Sequence, residues 1–427
     1  MTFSPDWNPD VARSQFPALN RTIGQHAVVH LDGPAGSQVP SRVADAVRRY
    51  LLETNANCGA PFPNSQATDA TLTQAREALA DFLGTRDPET VCFGANMTTI
   101  TFQVSRALAR TWKSGDEIIV SRLDHDANFT PWVLAARDSG VNVREIDLRP
   151  DDWTLDLQDF RSKLSSRTRL VAVGYASNAT GTVNPLRDII RDAQNHGALT
   201  YIDAVHFAPH GRIQVEALGC DFLVCSAYKF FGPHVGVLWG RRELLREIQP
   251  YKLRPAPETL PGRWMTGTQN HEGIAGAAAA VEYIASLDHS SSDDGAIGDN
   301  SVDNSRSAKL DRVFGRIKYY EQSLSKRLIH GLQQIPGIRV HGITDLERLD
   351  DRVPTISMTS ASASPRELAI RLAEHGIFAW PGNHYALPFT ERAKLEPNGT
   401  LRLGALHYNT IEEIDRAVEI LANIIAS

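Results

Sequence analysis

The chain has 427 residues, a mass of 47.0 kDa and a formal charge of −6 from 44 basic and 50 acidic residues. That length excludes a peptide or a single small module, and an acidic balance with no basic block offers nothing to track phosphates, so nucleic acid is not an expected partner. With 42% hydrophobic and 22% charged residues, the composition is that of a globular protein rather than a disordered or fibrous one.

Near the start, Pro5, Pro9 and Pro17 with Asp6 and Asp10 break any apolar leader, so no export is predicted. The four cysteines, Cys58, Cys92, Cys220 and Cys225, form no CxxC pair and no disulfide framework, which fits a reducing, cytoplasmic setting. From about residue 90 to 240, short apolar runs alternate with amphipathic stretches. Strands are predicted at 91–93, 118–121, 141–146, 170–175, 199–203, 222–226 and 235–239, giving a mostly parallel sheet covered on both faces by helices. Residues 273–287 are largely glycine and alanine but include Glu282 and are too short to span a bilayer, so they are read as a buried helix and no membrane is expected.

Residues 288–308 are nearly all serine, aspartate, asparagine, glycine and alanine, the composition of a solvated linker or insertion. A helix is predicted at about 309–332, followed by short strands at 338–341, 353–358, 377–380 and 401–406 that alternate with helices, a smaller α+β unit. Ser364-Pro365 with Glu367, and Thr410 with Glu413, are capping boxes that mark two helix starts there.

In an open α/β sheet, ligands collect just beyond the carboxyl ends of the strands, so the residues that follow the predicted strands carry the chemistry. Asp203 ends one strand and Lys229 lies just after the next, in SAYK. Pyridoxal phosphate requires such a pair: a lysine for its Schiff base, and an acid that keeps the pyridine nitrogen protonated so that the ring can accept electrons. After the first strand, Gly94, Ala95 and Asn96 lead into a helix starting around Met97, Thr98 and Thr99, where backbone amides and hydroxyls can hold a phosphate dianion. His125, after the second strand, is placed to stack on a ring and to pass protons. Each feature alone has an ordinary structural explanation as a cap, turn or surface residue. Their joint order is far more specific.

On these residues the chain resembles the class V aminotransferase group of fold-type I pyridoxal phosphate enzymes, in particular its cysteine-desulfurase-like branch. The resemblance runs through HLDGPAGSQVP at 30–40, LDHDAN around His125, SNATGTVNPL at 177–186, DAVH at 203–206, SAYK at 226–229, TGTQN at 266–270 and LRLGALHYNT at 401–410. It implies a large sheet domain at 31–287 holding the cofactor, an arm at 1–30 that joins the small domain, and a small domain at 309–427. Lys229 would carry the cofactor, Asp203 would pair with its nitrogen, and His125 would stack on its ring. Asn96, Met97, Thr98, Thr99 and Ser226 would surround the phosphate, with Thr268 supplied by the second subunit of a homodimer whose active sites lie near the interface. Asn178 would lie near the ring oxygen, and Arg402 would bind the α-carboxylate of a small amino-acid substrate.

The departures from the branch matter as much. His206 stands where desulfurases carry glutamine, and Tyr228 where they carry the histidine before the lysine, which alters cofactor contacts. Tyr385, in GIFAWPGNHYALPF, occupies the position of the persulfide-forming cysteine. A protein persulfide therefore lacks its nucleophile. Trp380, His384 and Tyr385, with Asn57 in ETNANCGAPF, would shape the substrate pocket. The expected reaction is β-elimination from an S-substituted cysteine, a C–S lyase giving pyruvate and ammonia. Decarboxylation-linked deamination, transamination and epimerisation use the same machinery, and a catalytically retired binding protein is the non-enzyme alternative. No dinucleotide fingerprint is present, and His206 and His210 in HFAPH lack the glutamate of a zinc motif, so no metal is expected.

Overall fold

The computed structural model describes residues 7–288 and 303–427. Its centre is a seven-stranded sheet of β1 (Val91–Gly94), β2 (Glu117–Ser121), β3 (Asn142–Ile146), β4 (Thr168–Gly174), β5 (Leu199–Asp203), β6 (Phe222–Ser226) and β7 (Gly236–Gly240), in the order β1-β7-β6-β5-β4-β2-β3. β7 runs antiparallel to both neighbours, with Gly236 opposite Gly94 and Ser226, and the remaining pairs are parallel. The protein is an α/β molecule with a mostly parallel sheet, as the strand pattern indicates.

Alternation along the strands feeds two cores, one on each face of the sheet. Ile119, Val171, Val173, Leu223, Cys225 and Val237 point into one, and Ile118, Val120, Leu170, Ala172, Phe222 and Val224 into the other. Burial on both sides explains why these strands read as unbroken apolar runs instead of alternating ones. The glycine- and alanine-rich stretch forms the helix His271–Ala285, capped by Asn270, whose side chain accepts from the Gly273 amide. It packs on the helices Ser41–Arg49 and Pro63–Leu83.

A second sheet contains β8 (Ile338–His341), β9 (Thr355–Ser360), β10 (Trp380–Gly382) and β11 (Thr400–Gly404), in the order β8-β9-β11-β10, all antiparallel. The helices Arg306–Gln333, Pro365–Glu374 and Ile411–Ala426 close its core with Leu324, Leu328, Leu368 and Leu421 against Ile356, Met358, Leu401 and Leu403. Both predicted capping boxes are formed. The long helix starts at Arg306, because Ser305 caps it by accepting from the Ala308 amide. The rest of the polar stretch, residues 289–302, lies outside the described residues.

The expected strand at 377–380 is two short ones. Ile377–Phe378 pairs in parallel with Val29–His30, and after Ala379 the chain changes partner so that Trp380 stands opposite Arg402 on β11. The N-terminal segment thus lies against the second sheet and its flanks, where Trp7 also donates its indole N–H to the His407 carbonyl at 2.9 Å. Among the described residues no helix is long and apolar enough to cross a membrane.

Candidate active site

Five strands deliver their following residues to one cavity. Asn96, Met97 and Thr98 come after β1, Asp124 and His125 after β2, Gly174, Ala176 and Asn178 from the end of β4, Asp203, Val205 and His206 from the end of β5, and Ser226, Tyr228 and Lys229 from the end of β6. All lie at the carboxyl edge, where the parallel strands aim their exits.

Lys229 is half-buried at this edge. Its ammonium donates to the Pro34 carbonyl and lies 4.9 Å from the centre of the Tyr228 ring. Burial, helped by the nearby Arg402 charge and opposed by Asp203, pulls its pKa from the usual lysine range to about 7. A lysine in that state is an available nucleophile and base near neutral pH. Asp203 moves the other way: burial raises its carboxyl to about 6, against the Val205 amide bond at 2.8 Å and the Lys229 charge. Among the described residues no cation lies within ion-pair distance of Asp203, so its charge awaits a partner.

The phosphate end is a helix N-terminus. Asn96 caps Met97–Ala109 by accepting from the Thr99 amide at 2.9 Å, and the Thr99 hydroxyl donates to the same oxygen at 3.0 Å. Thr99 is therefore committed to the cap, which leaves Thr98 as the hydroxyl that lines the cavity. Ser226 fixes the start of the helix by accepting from the Met97 amide at 3.0 Å. Gly236 on β7 makes this approach possible, since a Cβ there would sit 2.5 Å from the Asn96 carbonyl carbon.

His125 accepts from the Ala127 amide at Nδ1, 3.0 Å away, which places the proton of the neutral ring on Nε2. Burial, with the Lys229 and Arg402 charges, lowers its pKa to about 4. His206 is also buried and held well below the ordinary histidine range, first by burial and then by His210 and the cationic side chains; its Nε2 meets the Thr355 hydroxyl at 3.0 Å. Tyr228 packs its ring against His234 with centroids 5.0 Å apart.

Arg402 stands just behind this lining. It is buried, donates to the Asn178 carbonyl at 2.7 Å, and leaves its Nε unpartnered, as is the Asn178 side-chain oxygen. Burial lowers its pKa to about 9. Among the described residues no carboxylate lies within ion-pair distance, and a buried guanidinium in that position calls for an anion. His384 is buried beside it, its carbonyl accepting from Asn178 Nδ2 at 2.7 Å, while Tyr385 stacks on His125. Trp380, Asn57 and Thr268 are exposed and outside the cavity lining of the single chain.

One lining residue escapes sequence reasoning. Asp124 accepts from the Gly174 amide at 2.9 Å and from Asn128 Nδ2 at 2.6 Å, and burial lifts its carboxyl to about 7. The signal available is its place in LDHDAN, one residue before His125, where the imidazole draws the attention.

The donor set fits pyridoxal phosphate: a half-buried low-pKa lysine, an unpaired buried carboxylate, an imidazole, and a helix N-terminus seated against a glycine. Fold and site together define a fold-type I enzyme that depends on this cofactor. The chain belongs to the aminotransferase class-V family, whose model matches residues 29–296 and 311–417. It is 30% identical to a probable cysteine desulfurase of Xylella fastidiosa (strain Temecula1) over 99% of this chain and 96% of that protein. It is also 30% identical to a cysteine desulfurase of Salmonella agona over 96% of this chain and 97% of that one. Among solved structures, the apo cysteine desulfurase of Thermococcus onnurineus NA1 superposes with a TM-score of 0.85 at 25% identity, covering 100% of this chain and 99% of that one. The Escherichia coli cysteine desulfurase CsdA superposes with a TM-score of 0.82 at 27% identity, covering 99% of both chains.

Proposed function

We propose that this enzyme cleaves the C–S bond of an S-substituted cysteine by β-elimination. The observation that carries this reading is the chemistry of the four thiols. By the sequence resemblance Tyr385 stands in place of the desulfurase cysteine; Cys58 is exposed in a loop outside the cavity lining, and Cys92, Cys220 and Cys225 are buried. Burial pushes the Cys92 thiol up to about 12 and the other two higher still. None of the four lines the cavity where it could take sulfur from a substrate.

Pyridoxal phosphate, when bound, supplies an electron sink for negative charge at the substrate Cα. The chain's side chains do the rest. Arg402 pairs with the α-carboxylate, and Asn178, whose carbonyl it holds, orients the same end. The Lys229 amine, neutral in part near pH 7, takes the Cα proton. The sulfur leaves Cβ with the C–S bonding pair as a thiolate, to which the Nε2–H of neutral His125 can donate a hydrogen bond; the proton that Lys229 took from Cα then makes it a thiol. Asp203 would hold the pyridine nitrogen of the cofactor in its protonated form. In balance, the substrate zwitterion and one water become a thiol, pyruvate and ammonium.

The test is to supply the purified holoenzyme with S-methyl-L-cysteine and measure pyruvate, methanethiol and ammonium. The expected result is a 1:1:1 yield, with no protein persulfide formed from L-cysteine. An aldehyde or the intact keto acid of the substrate would replace elimination by deamination or transamination. The same reading includes a cytoplasmic homodimer that brings Thr268 to the partner's site. Its support is the exposure of Leu51, Leu52, Phe62, Tyr251 and Leu253, and sedimentation of a monomer alone would remove it.

A further inference from the structure

The segment that carries Tyr385 is held in a shape its residues resist. His384 and Tyr385 have φ of +57° and +56°, left-handed backbone at two consecutive positions that carry a Cβ, a conformation that persists only where the surroundings impose it. Here they do. Asn178 Nδ2 donates to the His384 carbonyl at 2.7 Å, and the His384 ring meets the Thr400 hydroxyl at 2.8 Å. The Tyr385 amide donates to Asn383 Oδ1 at 3.1 Å, and the Asp126 amide donates to the Tyr385 carbonyl at 2.6 Å.

This bracing does not serve to bury the tyrosine, which is 72% exposed. It fixes the ring over His125, with centroids 5.5 Å apart and planes 18° from parallel. Trp380 stands opposite Arg402 in the β10–β11 register, so the two share a face of the second sheet, and Trp380 is 51% exposed. An exposed aromatic ring therefore lies over the imidazole that lines the cavity, and Trp380 sits on the strand paired with that of the arginine behind the lining. Arg402 is taken by the α-carboxylate, and the acidic residue next to His125, Asp126, holds the Tyr385 carbonyl through its amide and accepts from the Thr130 hydroxyl at 2.8 Å. Nothing in this wall recommends a second anionic group.

We propose that Tyr385 is the specificity wall for the sulfur substituent, and that the preferred substrates are cysteines bearing a flat, uncharged, unsaturated or aromatic group on sulfur. The proposal deepens the elimination reading and rests on it for the identity of the substrate. Rigid aromatic side chains suit this task because offset stacking adds to the gain from apolar burial while few rotamers are frozen.

Amino acids in which CH2 replaces the sulfur have no leaving group and report binding alone. Calorimetry on the holoenzyme would compare 2-amino-5-phenylpentanoate, norvaline and 2-aminoadipate, the carbon analogues of S-benzyl-, S-methyl- and S-carboxymethyl-cysteine. The phenyl analogue is expected to bind about 10-fold tighter than norvaline, and 2-aminoadipate more weakly than either. In Tyr385→Ala the ratio of the first two constants falls toward 1, and in Tyr385→Phe it is kept, because the ring and not the hydroxyl makes the wall. Equal affinities in the wild type, or an undiminished ratio in Tyr385→Ala, overturn the proposal. So does a change in sedimentation of Tyr385→Ala, which would identify the ring as a contact between copies. Pyruvate release from S-methyl-L-cysteine, measured in parallel, separates the two readings: selectivity without pyruvate retains the wall and removes the elimination, and pyruvate without selectivity does the reverse.

Discussion

Lys229 is a charge placed largely out of bulk water at the edge of the cavity, and its energetics follow from that. An ordinary lysine holds its proton to about pH 10.4, whereas burial brings this one to about 7 in the folded chain. Between those values the unfolded chain binds a proton that the folded chain has released, so stability rises with pH across the window. Below pH 7 the full cost of the buried charge is present. Lys229→Met removes it. The apoprotein of that variant is expected to exceed the wild type in stability by up to about 5 kcal/mol at pH 6, with the gain fading by pH 10. Urea titrations at both pH values read this directly, and a difference independent of pH would show that the amine is not held in its shifted state. Lys229, Asp203 and His125 were legible in the sequence because each follows an apolar run that ends abruptly. Asp124 was not: its role depends on Gly174 and Asn128, and the bond to Gly174 joins residues 50 positions apart.

The strands were legible as elements because both faces of the main sheet are buried, so their composition stands out from the flanking turns. Leu199–Asp203 and Phe222–Ser226 fall at their expected limits. The helix Pro63–Leu83 is harder to read, because its buried face is built largely from Ala75, Ala78, Ala80 and Thr68, small or polar residues that weaken the helical apolar period. The braced loop at 382–386 is harder still, since no glycine or asparagine marks the left-handed positions 384 and 385. The phosphate end offers a test at this scale. Gly236→Ala would press a methyl group against the Asn96 carbonyl carbon and Ile100, shifting the start of the helix Met97–Ala109 at a strain of about 1–3 kcal/mol. The expected outcome is a folded protein with a lowered melting temperature and roughly tenfold weaker pyridoxal phosphate binding by equilibrium dialysis. Unchanged affinity would show that this helix end does not hold the cofactor.

The two sheets meet around the cavity through bonds that cross between them. Arg402 holds the Asn178 carbonyl, Ser357 donates to the Ala179 carbonyl at 2.7 Å, and Arg352, fully buried, donates to the carbonyls of Thr180 and Thr355. One loop of the first sheet is thus clamped by three residues of the second sheet's side, and the site's geometry depends on the whole molecule. Its construction does not depend on residues 289–302 being long. Arg312 donates to the Asp288 carboxylate at 2.7 and 2.9 Å and to the Asp303 carbonyl at 3.0 Å, so one guanidinium joins the two flanks of that stretch. Arg316 secures Asp288 as well, at 2.6 Å. The remaining gap is short enough for about four residues, each of which reaches about 3.3–3.6 Å. Replacing 289–302 by a Gly-Ser linker of that length should leave the clamp and the cavity unaltered. Closing a shorter loop favours the folded chain by about 1 kcal/mol, so the melting temperature should stay level or rise by a few degrees, with pyridoxal phosphate affinity and pyruvate release preserved. Loss of cofactor binding in a variant that still folds would assign the segment a part in the site, which its serine- and aspartate-rich composition gives no reason to expect.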